Sequence, residues 1–243
     1  MRLHSRITVA AGCALLVLVI QTVAIEAVFF PPELPFRLDN GVPIIWNPDD
    51  DVFLSTGSYR GTRLGASRAK QAIAAVHASM RRYPQWILGQ HLEKVVLVDT
   101  LTHKTGGMIG GLASGGTIFL TARSAIHGAF HHELAHVLHQ TYGERLSEQH
   151  WHSVNPPGFQ YGAPAAGSSR PRGDLAAAFV SAYAMTNVRE DFAETAEALF
   201  GKGYENTFNG AREEALKRKA GMLMEFYRSI DPVFTKEYFK NLS

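Results

Sequence analysis

The sequence predicts an α+β domain, on three observations. Short β-type runs, Val95-Val96-Leu97-Val98 and Thr117-Ile118-Phe119-Leu120, lie in the first half of the chain, and helical periodicities fill the part after Ala125. Glycine pairs and proline clusters, the punctuation of turns, fall between those runs. The length of 243 residues suits one domain with a sizeable core.

The elements follow in order. Arg2 and Arg6 precede an uncharged, mostly apolar run from Ile7 to Ile25, the pattern of a secretory signal. Thr22-Val23-Ala24 offers small residues for cleavage, yet the 19 residues of the run also approach the ~20 that cross a bilayer as a helix. Residues 1–27 are therefore expected to be a signal peptide or a signal anchor, and residues 28–243 the folded domain. Basic residues before the run, with Glu26 and Glu33 after it, place that domain outside the cytoplasm. Cys13 is the only cysteine and lies inside the run, too close to Arg6 for a good lipoprotein signal core. The exported part then has neither disulfides nor thiolate ligands, so any metal must be held by His and carboxylates.

Residues 31–64 read as loops around short strands. Ile73, Val76, His77 and Met80 recur at helical spacing between Ser67 and Arg82, and Tyr83-Pro84 stops that helix. Gly106-Gly107, Gly110-Gly111 and Gly115-Gly116 mark a loop or hairpin leading into the strand Thr117–Leu120. They are not a phosphate-cradling loop, since no Lys-Ser/Thr follows and they open a strand. Ala125 to Gln140 reads as a strong helix, and Gly143 to Gly173 as a long loop. Asp174 is positioned to cap a helix from Leu175 to about Tyr183, and Asn187 another running to Phe200. A charged helix from about Ala211 to Ser229 and a short tail after Pro232 complete the chain.

Composition excludes several classes. At 46% hydrophobic and 19% charged, the chain is ordinary globular protein. Without Arg2 and Arg6, basic and acidic residues balance at 22 each, which leaves no excess charge for binding nucleic acid. No feature signals an oligomer.

One motif carries chemistry. His132-Glu133-Leu134-Ala135-His136 is His-Glu-x-x-His, and in a helix His132 and His136 stand on one face, spaced to share a zinc ion. Ile126, Phe130, Leu134 and Leu138 occupy the opposite face, so one side packs while the other presents ligands. Glu133 is then the general base. His139 sits seven residues from His132, about 10 Å along the helix, too far for both to reach one ion. It is assigned to packing or to support of a ligand, and His131 points some 100° away from His132.

The third ligand is left open by spacing. Glu190, Glu194 and Glu197 share one helix face opposite Phe192, Ala196, Leu199 and Phe200, but such an acidic face is as readily a solvated surface. Asn187 and Glu190 also fit a capping box, which explains Glu190 with no metal at all. His150, His152 and Asp174 are the alternative donors. Tyr183 has a packing explanation too, beside Phe179 and Val180 at helical spacing.

Two segments resemble the anthrax lethal factor-like metallopeptidases, a gluzincin family that includes the pro-Pro endopeptidases. One is the His-Glu-x-x-His helix. The other is Tyr183, then Thr186-Asn187, then Glu190-Asp191-Phe192-Ala193-Glu194. The resemblance spans about residues 117–200. It implies a zincin-like fold with a mixed sheet ahead of the active-site helices. It also implies Glu190 as third zinc ligand, Glu194 supporting the site from one turn on, and Tyr183 acting opposite the base.

The expected function is zinc-dependent endopeptidase activity outside the cytoplasm, with one Zn²⁺ per chain and a peptide or protein substrate. Residues 7–25 are a potential membrane anchor. The strand Thr117–Leu120 is either a partner for an extended substrate by strand addition or plain core sheet. Two rivals stand beside this reading: a non-catalytic zinc-containing binding domain, and a zinc hydrolase of a non-peptide amide.

Overall fold

The computed structural model describes residues 36–37, 41–46, 58–122, 126–162, 178–209 and 214–242. The expected signal or anchor lies outside these residues, as do all of 163–177, Asp174 among them. The chain divides into Met1–Phe30 and Pro31–Ser243, and every described element belongs to the second unit.

In chain order the strands and helices are β1 (Phe36–Arg37), β2 (Pro43–Ile45), β3 (Tyr59–Thr62), α1 (Ala66–Met80), α2 (Gln85–His91), β4 (Lys94–Val98), β5 (Thr100–His103), β6 (Gly111–Ser114), β7 (Thr117–Thr121), α3 (Ile126–Tyr142), α4 (Glu148–Ser153), α5 (Val188–Lys202), α6 (Glu214–Ile230) and α7 (Lys236–Lys240). All the strands precede α3, and among the described residues helices alone follow it, as the sequence predicts. The five-stranded sheet runs β1-β2-β4-β7-β6, and β3 with β5 forms a separate antiparallel ribbon.

The sheet is mixed. β4 lies parallel to β2 and β7, while β1 and β6 pair antiparallel at the two ends. Val95 to Val98 are all buried, which is why β4 reads as a continuous apolar run rather than an alternating one. Gly115 and Gly116, both at positive φ (55° and 78°), make the two-residue turn joining β6 to β7, a conformation that glycine adopts without steric cost. The hairpin places β6 at the sheet edge and β7 inside the sheet. The strand Thr117–Leu120 is therefore core sheet, buried along its length, and the accessible edge belongs to β6.

Helices cover the sheet and build the core. Ala69, Ala72, Ile73, Val76 and Met80 of α1 meet Phe130, Leu134 and Leu138 of α3 in one cluster with Phe192, Ala196, Leu199 and Phe200 of α5. Tyr83 ends the first helical region and stacks on Phe200, and Pro84 begins α2. The part of the 143–173 stretch that is described, 143–162, is less loop-like than its glycines and prolines predict. It contains a 3₁₀ turn at Gly143–Arg145 and α4, capped by the Ser147 side chain, with Trp151 wholly buried. The helix expected up to Tyr183 does not extend that far. Phe179 to Ala182 are non-helical, and Tyr183–Met185 form a separate 3₁₀ turn. Asn187 caps α5 as expected, accepting from the Arg189 and Glu190 backbone N–H groups.

Candidate active site

Two antiparallel helices build the site. α3 and α5 each turn an apolar face to the core, so the opposite faces, histidine on one and glutamate on the other, meet across a cleft. The register follows from the contacts. Glu190 meets His132 and His136, Glu194 and Glu197 meet the far side of His132, and Glu197 lies over Gly128.

His132 Nε2 and His136 Nε2 are 3.1 Å apart, and Glu190 Oε2 is 3.1 Å from the first and 3.4 Å from the second. Ligand atoms ~2.0–2.1 Å from a tetrahedral zinc ion stand about 3.3–3.4 Å from one another. The three donors thus already form one face of a tetrahedron. His132 Nδ1 looks the other way, with Glu194 Oε1 at 3.2 Å and Glu197 Oε2 at 3.6 Å. A carboxylate on the remaining ring nitrogen fixes the tautomer and orientation a metal-binding histidine needs.

The electrostatics also fit a cation. Burial draws the His132 imidazole down, but the Glu190 hydrogen bond, the Glu194 and Glu197 carboxylates close by, and the Glu133 charge outweigh it and raise it to about 12. Burial acts on Glu190 in the opposite sense to its two histidines, whose hydrogen bonds and charges bring it down to about 2. Without a metal the cluster therefore holds a proton, and so a positive charge, where a divalent ion would sit.

Glu133 lies next to this cluster and is nearly buried, at 6% exposure. Burial pushes its carboxyl up to about 7, against the lowering effect of His132 and His136 and of a hydrogen bond from the Ala113 backbone. That bond comes from β6. The same strand makes room for the side chain at Gly111, where a Cβ atom would stand 2.7 Å from Glu133 Oε1. Gly111 is a site residue that the sequence shows only as one glycine of a pair.

Tyr183 lines the cleft with Glu190, its ring stacked on His132 at 6.1 Å between centroids. Burial, then the Glu190 and Glu133 charges, push the phenol well above its usual range, so it remains a hydrogen-bond donor. The expected alternative, packing beside Phe179, is not what the structure brings together. Phe179 packs instead with Phe159 and Tyr161.

The other histidines go elsewhere. His131 is buried and bonded to the Tyr83 hydroxyl at 2.8 Å, and His139 stacks on Phe192 at 4.7 Å. Among the described residues, the donor groups close enough to hold an ion are His132–His136–Glu190 and His132–Glu194–Glu197; neither His150 nor His152 joins one. The cleft above them has a volume of about 1650 Å³, with Gly110 to Ala113 of the sheet edge on one wall and Tyr183, Glu190 and Glu194 on the other.

A sheet edge, a His-Glu-x-x-His helix and a facing glutamate helix define a class: a mixed α+β domain built around a candidate cation site in a cleft. A family model described as "Putative zinc-binding metallo-peptidase" matches residues 118–239, half of the chain, and the chain belongs to that family of zinc-binding metallopeptidases. A crystal structure described as a "putative zinc-binding metallo-peptidase" from Bacteroides caccae is similar at 16% identity, with a TM-score of 0.43, over 72% of this chain and 73% of that one. No curated protein matches the chain.

Proposed function

We propose that this chain is a gluzincin endopeptidase of the lethal factor-like kind, acting outside the cytoplasm with one zinc ion per chain. The observation that carries the reading is the three-donor face of His132, His136 and Glu190, with Glu133 beside it against β6, the edge strand among the described residues. His132, His136 and Glu190 would hold the metal. When bound, zinc supplies Lewis-acid chemistry, lowering the pKa of a water toward ~7 and drawing charge from the scissile carbonyl.

The chain's own residues do the rest. An extended peptide pairs with the outer edge of β6, which sets its carbonyl across the cleft floor. Glu133 takes a proton from the attacking water and returns it to the leaving amine. Tyr183 donates its hydroxyl to the carbonyl oxygen as negative charge develops there. Glu194 holds the His132 ring through Nδ1. Residues 1–27 deliver the domain across the membrane as a signal or anchor; a fusion partner after Ser243 that is active only in the cytoplasm would refute that placement.

The activity test is incubation of the zinc-loaded chain with a proteome-derived peptide library, with Glu133→Gln as control. Cleavage by the parent, loss of it in Glu133→Gln and retention of zinc in both are expected. A zinc-loaded parent that cleaves nothing would refute the peptidase assignment and favour a binding domain.

A further inference from the structure

Asp191 follows Glu190 on α5, and its side chain is wholly buried, as is that of Lys219 on α6. Asp191 Oδ2 accepts three hydrogen bonds: from Lys219 Nζ at 2.7 Å, the Tyr161 hydroxyl at 2.7 Å and Trp151 Nε1 at 2.9 Å. Lys219 Nζ also donates to the Ala178 carbonyl at 3.0 Å and lies 3.6 Å over the Phe179 ring. The Gly162 N–H, next to Tyr161, reaches the Met185 carbonyl at 3.2 Å, at the end of the turn that carries Tyr183.

We propose that the buried Asp191–Lys219 pair is a positioning clamp. It fixes the first turn of α5 and the approach to the Tyr183 turn, and through them the aim of Glu190 and Tyr183 at the zinc site. This rests on the proposed function.

Stability alone is a poor reason for such a pair. Burying two charges carries a desolvation cost, and apolar residues of similar volume often replace such pairs without loss. Position is a better reason. Glu190 stands in the first turn of its helix, where backbone N–H groups lack intrahelical partners and fraying begins. Successive residues project about 100° apart, so anchoring Asp191 in the core sets the rotation of the turn that presents Glu190. A 10° rotation moves a carboxylate ~6 Å from the helix axis by ~1 Å. A site of this kind tolerates only about 0.5 Å. Through Ala178 and Gly162 the same clamp grips the chain on both sides of the stretch before Tyr183.

The test compares the parent full-length chain with Asp191→Asn/Lys219→Met. The double variant carries no net charge change and keeps an amide oxygen for Trp151 and Tyr161. Tyr161→Phe is the second probe, since it deletes the hydroxyl that donates to Asp191 and accepts from Asn155, and leaves the ion pair. Zinc affinity is read by chelator competition, geometry by the visible spectrum of the cobalt-substituted chain, and stability by melting temperature. The clamp predicts that the double variant loses about 10–100-fold in zinc affinity and in kcat, with an altered cobalt spectrum and KM within about three-fold. Tyr161→Phe shows the same changes more weakly at a nearly unchanged melting temperature.

If either folded variant keeps zinc affinity, cobalt spectrum and kcat within two-fold of the parent, the clamp is wrong. If the double variant does not fold, Tyr161→Phe alone decides by the same criterion. A parent that binds zinc and hydrolyses nothing overturns the peptidase reading instead, and the clamp is then judged on zinc affinity and the cobalt spectrum.

Discussion

Gly111→Ala separates fold stability from catalysis at one methyl group. Gly111 lies in β6 opposite Leu120, in an ordinary strand conformation that alanine can adopt. Replacing glycine there reduces the freedom of the unfolded chain, which stabilises by about 0.4–1 kcal/mol where nothing clashes. Something does clash. The new Cβ would sit 2.7 Å from Glu133 Oε1, 2.9 Å from its Cγ and 3.1 Å from its Cδ. Ordinary contact begins near 3.4 Å for such atoms, so the carboxylate must retreat by roughly 0.7 Å. The end of a side chain yields more easily than the strand.

The displacement removes Glu133 from the Ala113 N–H and from its place beside the two histidines. Misplacing a catalytic group by ~1 Å costs about 10²-fold in rate. A 0.7 Å retreat should lower kcat by roughly 25-fold on the same scale. Zinc content stays near that of the parent, because Glu133 is not one of the three close donors. Melting temperature should stay level or rise slightly. The assay is steady-state cleavage of a fluorogenic peptide chosen from the library, run beside zinc analysis and a thermal melt. A Gly111→Ala chain with kcat within two-fold of the parent would refute the argument that β6 and Glu133 share this space.

Three further outcomes are expected. Glu190→Gln should lower zinc affinity sharply, whereas Asn187→Ala, which removes the cap alone, should cost ~1 kcal/mol of stability and leave zinc bound; equal zinc binding in both variants would make Glu190 a capping residue after all. Tyr183→Phe should lose ~10²–10³ in kcat at unchanged zinc content, since its hydrogen bond strengthens only as charge develops; a loss of less than a few-fold would end its catalytic assignment. For the zinc-free chain, Glu190 has its folded value lowered to about 2, so its stabilisation is present above its unfolded value of ~4.5 and is lost as pH falls through 2. His132, raised to about 12, contributes fully below its unfolded ~6.5 and loses that contribution only as pH climbs through 12. Thermal melts should therefore fall on acidification below ~4.5, and fall less in Glu190→Gln. Identical acid limbs in the two chains would contradict the pairing.

The helices that pack by their own periodicity were legible. Phe130, Leu134 and Leu138 on α3, like Phe192, Ala196, Leu199 and Phe200 on α5, recur at 3.6-residue spacing because one face of each helix is core. The order of strands was harder to read. Gly111–Ser114 lacks a β-branched run, and only its pairing with Thr117–Leu120 makes it a strand. Strand addition was therefore considered for the neighbouring segment, although β6 owns the edge. Trp151 was hidden for a different reason. Its burial depends on Asp191, 40 residues away, and no local pattern reports a partner at that distance.

The acidic face of α5 shows why spacing alone could not choose between a solvated surface and a ligand set. Glu190, Glu194 and Glu197 recur at four and three residues, and Gly128, His132 and His136 recur every four residues on the opposing helix, which runs in the reverse direction. Each stripe is common by itself. Their meaning comes from the antiparallel register, in which each carboxylate meets a histidine or the gap left by a glycine. A Cβ on Gly128 would run into the Glu197 carboxylate, so glycine leaves that side chain its place. With Glu133 included, four carboxyl groups gather around two imidazoles. Such a group repels itself unless positive charge enters. A proton on His132 supplies one unit of it, and a divalent ion on the open face of His132, His136 and Glu190 supplies two. The acids that made α5 resemble a wet surface are thus the reason its cleft favours a metal.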